Sequence, residues 1–307
     1  MADYLGIKED RRMRRLSVED FEIIEEVLEE LTPAAVEDVI GRFAEIRTFG
    51  RNDQIMFTVR NNGGARVMRA IVPGARAGIY QARRLDNKHL SITSQVETVG
   101  YALSLEDILT GRVTVREYVE LVTRGFVEIV YQRTIAALRT AANDAPAANR
   151  DSANDIDALT TAVDKITRVI RAYGTPTIFA FESVAGELSN TLGGAFPANA
   201  YVGQDAQEIR DYGHVTKYKG TDVVVLPNFL TDNSNSNWIF REDQLFILPA
   251  NEKPIKVAFA GNLHIQEVNI PSGGVEYHAH REMGVAVLAN QAIGCVTVSN
   301  NDFNTGW

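Results

Sequence analysis

Apolar residues recur at helical spacing in two stretches at the front of the chain. Ser17-Val18-Glu19-Asp20 has the form of a capping box, and Val18, Phe21, Ile24, Val27, Leu28 and Leu31 follow three or four residues apart, which predicts a helix over about 18–31. Thr32-Pro33 is a second start signal, with Thr as N-cap and Pro at the first helical position, leading to Val36, Val39, Ile40 and Phe43 on one face. Two short amphipathic helices are therefore expected within 1–50. The period then changes to two. Ile55, Phe57 and Val59 alternate before the turn residues Asn61-Asn62-Gly63-Gly64, and Leu90, Ile92 and Val96 share a parity after them, so 51–95 reads as a long, twisted, hairpin-like excursion. Ser104-Leu105-Glu106-Asp107 is a further helix start. The longest periodic segment runs from Thr114 to about Ala142, with Val115, Val119, Val122, Phe126, Ile129 or Val130, and Ala136 or Ala137 as its apolar stripe. Arg116, Glu120, Arg124 and Glu128 fall outside that stripe, and at 1.5 Å per residue the helix spans about 40 Å.

Asn143 to Asp155 (NDAPAANRDSAND) is small and polar and reads as a linker, the clearest internal boundary in the chain. Behind it, Ile156, Leu159, Val163, Ile166 and Ile170 define an amphipathic helix stopped by Gly174 and Pro176. Thr177 to Phe181 is a short buried strand, Ser183 to Asn190 a short helix, and Gly193, Gly194, Pro197 and Gly203 mark a loop. From His214 onward the chain is strand-rich: Val223 to Leu226, Leu245 to Leu248, Ile255 to Phe259, Ile265 to Ile270, Val275 to His280, Val285 to Leu288 and Val296 to Val298. TDNSNSN at 231–237 is a polar loop. No 20- to 50-residue period recurs, which excludes solenoids and propellers.

Charge sharpens this outline. The chain has 307 residues and a formal net charge of -9, yet 51–95 holds eight basic residues against two acids, a local +6. Seven basic and thirteen acidic groups give -6 for 1–50, which leaves -9 for the rest. A basic excursion on an acidic body invites docking onto another copy of that body, because opposite potentials steer association. The acidic balance argues against the whole chain wrapping nucleic acid. Arg11, Arg12, Arg14 and Arg15 form a short basic run suited to phosphate or to the acidic helix after it, the solvated-tail reading being the commoner one for so short a run. A single cysteine excludes an intrachain disulfide, the N-terminus has no apolar secretion core, and no apolar run reaches the about 20 residues that cross a bilayer. A reducing cytoplasm is the expected site of synthesis.

Chemistry-bearing motifs are sparse. The chain has no G-x-S-x-G, P-loop, G-x-G-x-x-G, H-E-x-x-H or C-x-x-C, so no catalytic residue and no cofactor is assigned. His278-x-His280-x-Glu282 places three ligands on one face of a strand, but one short strand supplies them all and such residues are ordinary on a solvated face. Cys295 follows Gly294 in an apolar context and reads as a small core residue. Asp155 and Asp157 at a helix start read as cap and dipole compensation.

The order of elements carries more information than any one residue. GTPTIFAFESVAGELSN at 174–190, KYKGTDVVVLPNF at 217–229, the LFILP and KPIKVAFAG runs within 245–261 and VEYHAHREMGVAVLANQAIGCVTVS at 275–299 resemble the major capsid proteins of tailed double-stranded DNA bacteriophages, the Hong Kong 97-type family. The resemblance extends over about 50–300. It implies an α+β fold with an N-terminal arm at 1–50, an extended loop at 51–95, a peripheral domain from 96–149 and 271–307 with a long spine helix, and an axial domain at 150–270. It implies a non-enzymatic head protein of the virion, assembled in the host cytoplasm into hexamers and pentamers of an icosahedral shell around double-stranded DNA. Portal, scaffolding and decoration proteins are its expected partners. Arg66, Arg69, Arg76, Arg83, Arg84 and Lys88 would contact the neighbouring subunit, and Arg11, Arg12, Arg14 and Arg15 would face DNA or arm. Gly284 and Gly294 would be the hinges of the closing strands. The alternative within the same fold is an encapsulin-type nanocompartment shell around an enzyme cargo.

Overall fold

The structure, a computed structural model, describes residues 18–51, 53–59, 88–103, 112–195, 211, 213–230, 238–250, 253–269, 275–288 and 292–298. The chain divides into two compact units. The first draws on Met1–Glu30, Arg47–Val122 and Val257–Val285, the second on Leu31–Ile46, Thr123–Lys256 and Ala286–Trp307.

Helix α1 is continuous over Val18–Ile40, with Pro33 inside it, where two helices are expected from the sequence. Proline removes the N–H that would bond the carbonyl four residues back and normally breaks a helix there. The carbonyl released is that of Glu29, and the side chain of Arg281 takes it: Nη2 donates to Glu29 O at 3.2 Å while Nη1 reaches Leu28 O at 3.5 Å. Thr32, read as a cap, is instead fully buried in mid-helix. Helix α2 spans Val115–Asn143. Its start is a capping box in which Thr114 N donates to Glu117 Oε2 at 2.8 Å and Glu117 N to Thr114 Oγ1 at 3.3 Å. Its buried stripe is Val115, Tyr118, Val119, Val122, Phe126, Val130, Ile135 and Leu138. Ile129 is only half-buried and Ala136 is exposed, because the stripe drifts by about 20° per heptad when 3.6 rather than 3.5 residues complete a turn.

A four-stranded sheet, most of whose residues belong to the first unit, runs in the order β1 (Ala44–Phe49), β10 (Ile255–Asn269), β11 (Val275–Val287), β4 (Gln95–Leu103). β4 and β11 are antiparallel, with Tyr101 opposite Tyr277 and Val96 opposite Glu282. Tyr277, Ala279, Arg281 and Met283 alternate into the core, where the Tyr277 ring meets Phe21 at 5.7 Å and the fully buried Tyr118 at 5.8 Å. β10 and β11 each replace two shorter strands expected from the sequence. Arg281-Glu282 resembles an interruption, yet the ladder to β4 runs through it, and β10 continues past Gly261-Asn262 although Gly261 has a φ of 65°.

In the second unit, six strands run in the order β5 (Arg150–Ala153), β12 (Gly294–Val298), β9 (Gln244–Pro249), β6 (Pro176–Phe181), β8 (Thr221–Leu226), β7 (Lys217–Tyr218). β5 and β12 are parallel, as are β6 and β8, and the other pairs are antiparallel. Every residue of β6 and β9 is buried, as central strands covered on both faces require. Helix α3 (Ile156–Ile170) is capped by Asp155, whose Oδ1 accepts from Ala158 N at 2.7 Å. It buries Leu159, Ala162, Val163, Ile166 and Ile170 against Ile247, Val296 and the Val184-Leu188 face of α4 (Glu182–Ala195), each large aliphatic contributing about 1.5–3 kcal/mol. α4 continues through Gly193 and Gly194, which are expected in a loop. The linker expectation for 143–155 also changes: it contains a 3-10 turn at Ala147–Asn149 and then β5, whose strand character comes from its partner β12. Buried Asn149 secures that join by donating to Ile293 O at 3.1 Å. Gly284 and Gly294, expected as hinges, lie inside strands at close approaches. A Cβ on Gly284 would lie 2.7 Å from Ile92 Cγ2, and one on Gly294 would collide with Ile166 of α3.

Candidate assembly surface

The basic excursion leaves the first unit through a two-stranded ribbon. β2 (Met56–Val59) and β3 (Lys88–Ser91) pair antiparallel, with Phe57 opposite Leu90 and Val59 opposite Lys88. The ribbon is rooted by Phe57, which is buried, meets Phe49 edge-on at 5.6 Å and carries the Arg47 guanidinium 5.3 Å above its ring. Below the ribbon, Ile92 N donates to Ile55 O at 3.3 Å. The segment that the ribbon carries, 60–87, holds Arg66, Arg69, Arg76, Arg83 and Arg84 and lies outside the described residues, as do Arg11, Arg12, Arg14 and Arg15 and the helix start at 104–107. Lys88 is the first residue of β3, directly at the point where that segment rejoins the ribbon.

Next to the ribbon, the face of the four-stranded sheet opposite its core presents Glu276, His278, His280 and Glu282 on β11, beside Val96, Thr98, Gly100 and Ala102 on β4. His278 shares a hydrogen bond with Glu276 Oε2 through Nε2 at 3.1 Å, and His280 one with Thr98 Oγ1 through Nδ1 at 2.8 Å. The two rings are nearly parallel with centroids 6.3 Å apart. Gly100 makes room for them: a Cβ there would sit 2.9 Å from His278 Nδ1. Ser94 Oγ donates to Glu282 Oε1, which gives this carboxylate a partner of its own. The three ligands suggested by the His278-x-His280-x-Glu282 spacing therefore have separate partners, and among the described residues no three His, Cys, Asp or Glu side chains converge on a metal position.

Partial burial, followed by the charges of His278 and His264, lowers the pKa of His280 below its ordinary 6.5. The sign follows directly. The unfolded chain takes up this proton before the folded one does, so stability is full above about 6.5 and is lost as pH falls toward the folded value. Around His280 the other charged groups are Glu276, held by His278, Glu282, held by Ser94, and Glu25, held by His264 at 3.1 Å. Thermal midpoints measured between pH 7.5 and 5 are expected to fall, and His280→Gln to flatten that fall. An unchanged slope in the variant assigns the acid sensitivity to other groups.

Cys295 is buried, and burial pushes its thiol up to about 11, as a core residue requires and a nucleophile does not. In the second unit a shallow cleft of about 390 Å³ is lined by Arg42, Thr177, Phe179, Thr216, Lys217 and Asp222, without a histidine, cysteine or serine. No helix among the described residues is long and apolar enough to cross a membrane.

Sequence reading misses Arg281, the residue that holds α1 together. Pro33 signals that Glu29 O needs a donor, but nothing local identifies a partner some 250 positions away.

A 29-residue helix, a four-stranded sheet, a six-stranded mixed sheet flanked by two helices, and a β-ribbon between β1 and β4 in the chain together make the subunit fold of Hong Kong 97-type phage capsids. Solved structures of that kind superpose on it at low identity. They include the Microbacterium phage Oxtober96 (TM-score 0.54, 11% identity, 83% of this chain and 89% of that one), the satellite phage P4 procapsid with its size determination protein (0.53, 12%, 94% and 93%) and the capsid of the cyanophage P-SCSP1u (0.52, 13%, 85% and 88%). The model of the family described as SPbeta prophage-derived putative capsid protein YonB matches residues 11–297, and the chain belongs to that family. It is a major capsid shell protein. No curated protein sequence matches it.

Proposed function

We propose that this chain assembles with copies of itself into hexamers and pentamers of a closed icosahedral shell around double-stranded DNA, without enzymatic activity of its own. The observation that carries this reading is the family match over 11–297, joined by the +6 charge of 51–95 in a chain that is otherwise acidic. The prophage origin in the family's description favours a genome over an enzyme cargo as the contents. In this reading 51–95 is the extended loop laid over a neighbour, with Arg66, Arg69, Arg76, Arg83, Arg84 and Lys88 against its acidic surface. The residues 96–149 and 271–307 form the peripheral domain and 150–270 the axial domain. Arg11, Arg12, Arg14 and Arg15 contact DNA or a neighbouring arm. Portal, scaffolding and decoration proteins complete the virion, which is built in the host cytoplasm. Light scattering after size exclusion, with negative-stain imaging, is expected to show capsomers or megadalton particles. A 33.9 kDa monomer at every salt concentration overturns the proposal.

Reversing the charge of Arg66, Arg69, Arg83 and Arg84 together is expected to abolish particles while leaving the subunit folded. Several changes are needed because an exposed ion pair contributes only about 0–1 kcal/mol. A normal particle yield across ionic strengths, from a variant with native circular dichroism, removes the docking role from these arginines.

A further inference from the structure

On the six-stranded sheet, Thr177 and Phe179 of β6 stand in register with Asp222 and Val224 of β8. These four side chains share the face turned away from α3 and α4, because Ile178, Ala180 and Val223 occupy the core on the helix side. Phe179 is closed on one side by Phe43, edge-on at 5.2 Å. Phe179, Val224 and Ala250 give the cleft of the second unit an apolar lining, and Arg42 and Lys217 bring two cations to it. Lys217 lies opposite Asp222 and 4.0 Å from its carboxylate, where an exposed pair is weak, and no described residue pairs with the exposed Arg42. The wall that carries Lys217 is fixed. Lys219 and Gly220, both at positive φ, turn β7 into β8, and two contacts tie that turn to α3: the Lys219 ammonium donates to Asp164, and Arg171 Nη2 donates to Lys219 O at 3.4 Å. A rigid, preformed cleft binds without first being ordered.

We infer that this cleft receives glutamates from α1 of a second copy of the chain. The inference rests on the self-assembly proposed above and names one contact of it. An apolar lining beside two cations suits glutamate, whose methylenes pack on the lining while its carboxylate meets Arg42 and Lys217. A phosphate backbone has no such stem and would meet the carboxylate of Asp222. Glu22, Glu26 and Glu30 are exposed, stand at i, i+4 and i+8 on α1, and have carboxylates with which no described residue pairs. Like charges four residues apart weaken a helix, so cations brought from elsewhere stabilise this row. Arg42 of the same chain is out of its reach: α1 is continuous to Ile40, which sets Glu30 about 15 Å along the helix from that end. The occupant is therefore a copy, and the signs of cleft and row are complementary.

Charge reversal on each side, alone and together, tests this. Particle yield by light scattering is compared for four full-length chains, with circular dichroism as the check on folding. They are the parent, Arg42→Glu with Lys217→Glu, Glu22→Lys with Glu26→Lys and Glu30→Lys, and the combination of all five changes. Each one-sided reversal is expected to lower the yield at least about tenfold, since couplings between close interfacial charges change association by that much or more. The combination restores the opposite signs and is expected to recover most of the loss. Normal yield from either one-sided reversal overturns the inference while the shell function stands. A combination that assembles no better than its parts also overturns it, and leaves the cleft to another anion such as DNA. If the parent forms no particles under any condition, both fall. Should the reversed cleft lose native circular dichroism, Arg42→Gln with Lys217→Gln removes the charge with little change of packing, and normal particles from that variant overturn the inference.

Discussion

Arg281→Ala is expected to destabilise the subunit by about 3 kcal/mol or more, and Pro33→Ala to recover part of that loss. Arg281 is 1% exposed, lies 4.6 Å over the ring of Phe259 and donates to two carbonyls of α1. Burial lowers its pKa to about 10, so it is still a cation at neutral pH. Removing it relieves the cost of a buried charge. Against that relief stand a cavity beside Phe259 and a Glu29 carbonyl with no helical donor, and a buried polar group left unmade costs about 1–3 kcal/mol. The carbonyl and the cavity act together and outweigh the relief. The coupling to Pro33 is the specific part: an alanine there supplies the missing N–H at i+4, so it helps more when Arg281 is gone than when it is present. Urea midpoints for the parent, the two single variants and the double variant give the interaction directly. Additivity within about 0.5 kcal/mol, the range found for independent sites, would falsify the carbonyl-bridging role.

The same residue shows where sequence reading stops. Elements whose own residues dictate their state are legible: α3 has an N-cap, an i, i+3, i+4, i+7 stripe and a glycine stop, and β6 and β9 are short apolar runs. Elements whose state depends on a distant partner are not. β5 reads as linker because Arg150, Asp151 and Ser152 have no strand pattern, and only pairing with β12 and the Asn149 bond to Ile293 O make it a strand. β11 reads as two strands because an arginine in mid-run looks like a solvated break, whereas it is the buried donor to a proline-interrupted helix. The charge imbalance of 51–95 is fully visible in composition, since it needs no partner to be counted.

Phe126→Ala is expected to yield insoluble or thermally labile subunits, whereas Glu120→Ala is nearly silent. Phe126 has no exposed surface and lies between Val122 and Val130, both also buried, on the core stripe of α2. Deleting a buried phenyl costs about 3–5 kcal/mol through lost transfer energy and the cavity left behind. That is a large share of the about 5–15 kcal/mol that holds a domain folded. In the second turn of the helix, Glu120 stands 63% exposed and pairs with Arg116 at 2.9 Å and i,i+4 spacing. Such a pair contributes about 0.3–0.5 kcal/mol and is screened by salt. The contrast between the two variants controls for helix propensity, because each introduces alanine into the same helix. Thermal unfolding of the dissociated subunit is the appropriate measurement, since particle contacts would otherwise add to the apparent stability by mass action. A Phe126→Ala subunit that melts with the parent would mean that the α2 stripe is held by contacts between copies and not by the core of its own chain.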